Sequence, residues 1–114
     1  MASFADKMLI FKSEGIGEGD PGLARKMMKG FLKMLSKETV KPKSIFFLGE
    51  SVRLLLKESQ VLEYLQALEQ EGVDLLVCRA AVEWYDLEQK LQAGRVISTG
   101  HWLKYMQEYE TITL

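Results

Sequence analysis

The sequence predicts an α/β fold with a mainly parallel central sheet, on three observations. Short apolar runs rich in strand formers recur at residues 8–11, 44–48 and 74–78. Stretches with helical spacing of apolar residues lie between them, and the connections are short. Parallel neighbours cannot be joined by tight turns, so each pair needs a crossover, and right-handed helical crossovers are the ordinary solution. The expected architecture has three layers, a central sheet of about five strands with helices on both faces.

The elements follow in order. Met8, Leu9, Ile10 and Phe11 form a short strand, and the glycine-bearing loop of residues 14–19 follows directly. Asp20-Pro21 starts a helix, because the carboxylate accepts from free backbone N–H groups and proline at the first helical position gives up a bond that would not form there. Leu23, Ala24, Met27, Met28, Phe31, Leu32 and Leu35 then recur as one buried stripe. Arg25, Lys26, Lys29 and Lys33 occupy the other side, and the helix is expected to run to about Lys37. Residues 44–48 read as a central strand covered on both faces and closed by Gly49. Residues 52–56 fit either a short strand or a packed loop. Ser59 stands where it would cap a helix that carries Val61, Leu62, Leu65 and Leu68 inward and closes at Gly72. Residues 74–78 make a third strand. Val82, Tyr85, Leu87 and Leu91 fit a helix or a broken pair of helical turns ending at Gly94, with residues 96–98 as a short strand behind. Residues 99–109 are helical by pattern, and 111–114 close the chain as an edge strand. One domain over residues 1–114 is expected, with mobility at the first few residues and in the 14–19 loop.

The 114 residues are 47% hydrophobic and 27% charged, which suffices for one substantial core. Fifteen Lys and Arg oppose sixteen Asp and Glu, so no long-range pull on nucleic acid or an anionic membrane is expected. The apolar runs are far too short to span a bilayer, and residues 1–7 lack the basic flank and apolar core of a secretory leader. A cytoplasmic setting is expected, which a lone cysteine suits.

That cysteine, Cys78, falls where an apolar run stops and a helical pattern begins at Arg79. Ligands and reacting groups collect outside the carboxyl ends of strands in open α/β sheets. One cysteine makes neither an intramolecular disulfide nor a zinc site, so a functional Cys78 is a nucleophile or a covalent carrier. Only the thiolate attacks, and free N–H groups at a helix start, with Arg79 adjacent, are suited to stabilise its charge. The alternative is a small apolar residue filling space at the end of a buried strand.

Other candidates carry weaker patterns. The loop bearing Gly15, Gly17, Gly19 and Asp20 sits between strand and helix as a phosphate cradle would, yet its spacing is not the dinucleotide fingerprint. Glu14, Glu18 and Asp20 would repel an anion, so starting the helix is the favoured role, with a border on the Cys78 groove as the functional alternative. His101, the sole histidine, fits a proton shuttle or a helix-surface residue. Ser51, Ser59 and Ser98 lie in no nucleophile motif. Trp84 is expected in the core, and part of the 102–109 aromatic segment in a subunit contact.

Gly17-Glu18-Gly19-Asp20, followed by residues 24–32, resembles the DsrE/DsrF-like family, in particular the C-terminal part of YedF-type selenium-metabolism proteins. Residues 59–65, 68–78 and 84–91 resemble the same domain in the same order, so the likeness covers roughly residues 8–97. The resemblance implies a small three-layer α/β fold that often oligomerises, with members that carry sulfur as a cysteine persulfide. Cys78 matches the first cysteine of the Cys-x-x-Cys-like segment in YedF-type domains. Ala81 stands at the second cysteine position, Leu56 stands where many relatives have another, and the usual N-terminal TusA-like domain is not seen. The implied function is a cytoplasmic sulfur-relay or sulfurtransferase-like protein in which Cys78 carries sulfur or selenium between donor and acceptor proteins. It would need no metal or organic cofactor, no nucleic acid and no membrane, and would form a homo-oligomer. The alternative is a non-catalytic assembly or binding subunit that keeps the fold.

Overall fold

The computed structural model describes residues 3–114; Met1 and Ala2, on which part of the expected N-terminal mobility falls, lie outside the described residues. Five strands form one sheet: β1 (Lys7–Phe11), β2 (Ser44–Phe47), β3 (Asp74–Cys78), β4 (Arg95–Ile97) and β5 (Glu110–Thr113). Their order is β4-β3-β2-β1-β5 and every pairing is parallel. The helices are α1 (Pro21–Leu35), α2 (Leu62–Gln70), α3 (Arg79–Trp84) and α4 (Thr99–Glu108).

Alternation along the strands divides the core in two. Leu9, Phe11, Ile45, Phe47, Leu75 and Val77 point to one face, where α1, α2 and α3 cover them with Met28, Leu32, Leu65, Leu68, Ala81 and Val82. Met8, Ile10, Phe46, Leu76 and Ile97 point to the other, covered by Trp102 and Tyr105 of α4. The first three crossovers step β1 to β4 in one direction with helices on one face. The last returns across the sheet from β4 to β5 with α4 on the opposite face, and reversing both direction and side keeps one crossover hand throughout. The expected three layers and both helical faces are present, with an all-parallel sheet.

Several local expectations need correction. On α1 only Met28, Leu32 and Leu35 are buried; Leu23 and Met27 are 59% and 52% exposed. The apolar positions span about half the helix circumference, whereas contact with a flat sheet buries a narrower stripe. The helix stops at Leu35, where Ser36 caps it. Residues 49–55 form a 3-10 helix in place of a strand or loop, and buried Ser51 donates from Oγ to the carbonyls of Phe11 and Leu48 at 2.9 and 2.8 Å. Ser59 accepts from the Val61 N–H at 3.2 Å in the turn before α2, while the helix starts at Leu62 with no side-chain cap. The pattern after Cys78 gives one short helix, stopped where Asp86 takes φ 57°. Trp84 is 84% exposed, because its position turns away from the Ala81, Val82 and Tyr85 side that meets the sheet.

Candidate functional site

The connections leaving neighbouring strands diverge at one place. After β3 the chain turns into α3 on one face, and after β4 it turns into α4 on the other. The carboxyl ends of β3 and β4 are therefore a switch point of the sheet, the kind of place at which open α/β sheets hold ligands. Cys78 is the last residue of β3, directly opposite Ile97, the last of β4. Its backbone (φ −65°, ψ 116°) is the extended entry to α3, and its side chain makes no capping hydrogen bond.

The sulfur is neither sealed nor free-standing. Cys78 is half-buried, and it packs against both core clusters, so it sits on the seam between the two faces. Leu48, at the end of β2, and Trp102 pack on the same smaller cluster. Trp102 stacks on Phe46 at 4.9 Å between ring centroids, while its indole N–H is buried without a hydrogen-bond partner. Arg79 opens α3 and is exposed. His101 stands in the first turn of α4 at this same end of the sheet; its backbone N–H donates to Ser98 Oγ at 3.2 Å and the residue is exposed.

α4 is held down by a polar clamp at the other end. Arg95 donates to both carboxylate oxygens of Asp74, at 3.0 and 2.8 Å, and to the Tyr105 hydroxyl at 3.0 Å. The Asp74 bonds, then the Tyr105 bond, raise the Arg95 pKa further above its ordinary value. The Arg95 guanidinium thus stays charged at any physiological pH, and its bonds fix the helix that carries Trp102 over the sheet.

The glycine loop takes a different role. Asp20 accepts from the N–H groups of Gly22 and Leu23 at 2.8 and 3.1 Å, so its carboxylate is spent on starting α1. Gly17 and Gly19 have φ of 91° and 101°, left-handed conformations that favour glycine. They line a hollow of about 180 Å³ with Ser13, Glu14, Arg25 and Glu50. Cys78 does not line that hollow: β2 lies between β1 and β3, which puts the two strand ends about 10 Å apart. Cys78 and the exposed Arg79 thus stand at the end of β3, apart from the hollow lined by Gly17 and Gly19 and from the Asp20 cap. Leu48, Ile97 and Trp102 escape sequence reasoning because strand order brings them together, and no local pattern encodes it.

A family model for the DsrE/DsrF-like family matches residues 8–114. The chain belongs to the DsrE/DsrF-like family. That family is associated with sulfur relay. Two solved structures share the fold. The ychN protein from E. coli is 12% identical with a TM-score of 0.64, covering 96% of this chain and 99% of its own. MTH1491 from Methanobacterium thermoautotrophicum, described as a protein of unknown function, is 15% identical with a TM-score of 0.63, covering 95% and 98%. The comparison with curated proteins gives no match. Among the described residues of this DsrE-like chain, no group of three or more His, Cys, Asp and Glu is placed to hold a metal ion. No described helix is long and apolar enough to cross a membrane.

Proposed function

We propose that this DsrE-like protein is a single-cysteine sulfur carrier, holding persulfide sulfur or selenium on Cys78 between a donor and an acceptor protein. The observation that carries the reading is the position of Cys78, half-buried and unbonded, at the switch point between β3 and β4. Membership of a family associated with sulfur relay supports it.

The chemistry asks little of the chain. The Cys78 thiolate attacks the outer sulfur of a donor persulfide; the donor's S–S bond breaks and the donor leaves as a thiolate. Cys78 then bears the persulfide. An acceptor thiolate attacks its outer sulfur, the S–S bond at Cys78 breaks, and the Cys78 thiolate returns. No electrons are gained or lost overall, and no metal or organic cofactor takes part. With Ala81 and Leu56 at the positions of the family's other cysteines, the second thiol must come from the acceptor. Arg79 and the free N–H groups opening α3 are the groups suited to a negative sulfur there. Gly17, Gly19 and Asp20 would shape the neighbouring rim and leave the sulfur untouched. A cytoplasmic setting, self-assembly and one domain over residues 1–114 complete the reading, in line with the YedF-type resemblance.

Intact-mass analysis after exposure to a persulfide donor tests it. The wild-type chain should gain one sulfur that reductant removes, and Cys78→Ala should gain none. A folded wild-type protein that stays unmodified leaves the binding-subunit reading in its place.

A further inference from the structure

Trp102 carries a buried hydrogen-bond donor that the folded chain leaves unused. Its indole N–H is sealed from solvent and has no partner among the described residues, while the ring stacks on Phe46 with centroids 4.9 Å apart. Leaving a buried donor unpaired is costly, and one kept beside a reactive cysteine calls for a use. Its surroundings are almost entirely hydrocarbon: Met8, Ile10, Phe46, Leu76 and Ile97 make the cluster, with Leu48 packed against them. Tyr105 packs there too, but its hydroxyl accepts from Arg95 at 3.0 Å. Water suits such a place poorly, because it needs several polar partners.

Topology places Cys78 beside that donor. Ile97 ends β4 directly opposite Cys78, Ser98 then caps α4, and the backbone N–H of Trp102 donates to the Ser98 carbonyl at 3.1 Å. Trp102 thus stands in the first turn of a helix that starts at the end of β4, yet its ring rests on Phe46 of β2. Between β4 and β2 lies β3, whose residues on this face are Asp74, Leu76 and Cys78. Leu76 pairs with Phe46, and Asp74 lies at the other end of the strand, bonded to Arg95. Cys78 is level with the start of α4 and packs on the same cluster as Trp102. The other sulfur of that cluster, in Met8, is level with Ser44 at the amino end of the strands.

A thiol needs little from such a donor, and a persulfide needs more. Sulfur transfer adds one S–S bond of about 2.05 Å to the side chain and leaves the outer sulfur, more acidic than the thiol it replaces, as an anion. An anion set among hydrocarbon side chains has to be hydrogen-bonded. The resting Cys78 sulfur takes no bond from the indole, and the added length moves the acceptor beyond it. We propose, on the carrier reading of Cys78, that the Trp102 indole N–H donates to the outer sulfur of the Cys78 persulfide and holds it. No proton or electron moves in this step; the hydrogen bond forms as the sulfur arrives and breaks as it leaves. Trp102 is therefore a binding residue for the carried sulfur, and its charge-assisted bond biases the chain toward the loaded state.

The test uses the full chain, uniformly labelled for nitrogen NMR. The chain has two tryptophans, so two indole N–H signals are expected, and Trp84→Phe, at an exposed position, identifies each. Loading with a small alkyl persulfide, followed by intact mass, should move the Trp102 signal downfield and leave the Trp84 signal in place. Cys78→Ala should show no movement of either. Trp102→Phe keeps an aromatic ring against Phe46 and loses the donor. At a fixed ratio of small persulfide to small thiol, its ratio of loaded to free protein should fall about tenfold or more, the worth of a hydrogen bond to a charged group. A wild-type chain that loads no sulfur overturns the carrier reading and this assignment together. A chain that loads fully while the Trp102 signal stays put, or a folded Trp102→Phe that loads to the wild-type ratio, overturns the assignment alone and leaves the carrier standing. The signal is read on wild-type protein, so it decides the matter even if Trp102→Phe does not fold.

Discussion

The carboxyl ends of β1 and β3 belong to one end of one sheet, yet they handle their polar atoms in opposite ways. Beyond β1, Asp20 is committed to the start of α1, Ser13 donates to Gly15 within the loop, and Ser51 holds the Phe11 carbonyl. Beyond β3, the Cys78 side chain caps nothing and stands half-buried where successive connections part to opposite faces. The first place resembles a ligand loop in sequence and serves the scaffold. The second shows one cysteine in sequence, and the topology makes it the more available chemistry. What a loop's side chains already bind matters more than which glycines it contains.

Four substitutions bear on this contrast. The largest expected effect is at Cys78: replacement by alanine removes persulfide uptake altogether, and because the site is only half-buried, the thermal transition should barely move. Ser51→Ala comes next. It deletes a fully buried hydroxyl that ties the 3-10 segment to β1 and should cost about 1–2 kcal/mol in a urea titration. Asp20→Ala removes the cap of α1 and should cost about 1 kcal/mol by the same titration, with sulfur uptake at the wild-type rate. Uptake that falls with the cap would join the two regions into one site and break the comparison. Gly19→Ala is of similar size: φ of 101° strains any side chain, so a loss of about 1–2 kcal/mol is expected, again without effect on uptake.

Local chemistry was readable from the sequence wherever a few consecutive residues decide the outcome. Asp20-Pro21 starts α1 as expected, residues 74–78 form β3, and Cys78 lands at its end. Reading by hydropathy alone misled at Leu23, Met27 and Trp84, where apolar residues lie off the strip that touches the sheet. Residues 52–56 gave no clear period because most of them belong to the 3-10 helix of residues 49–55, which has neither the spacing of a strand nor that of an α-helix. The switch point was invisible for a deeper reason. It depends on β4 pairing with β3, and on α4 carrying the chain back across the other face to β5, and such non-local pairings leave no trace in a local pattern.

The central claim is that Cys78 meets its donor directly in the folded protein. The rate at which native wild-type protein takes up sulfur from a small persulfide, measured as donor concentration rises, tests it most directly. A rate that climbs in proportion to donor, well past the rate of unfolding measured separately, is the predicted result. A rate that levels off at the unfolding rate would mean that the sulfur reacts only once the sheet has opened, and would contradict the account.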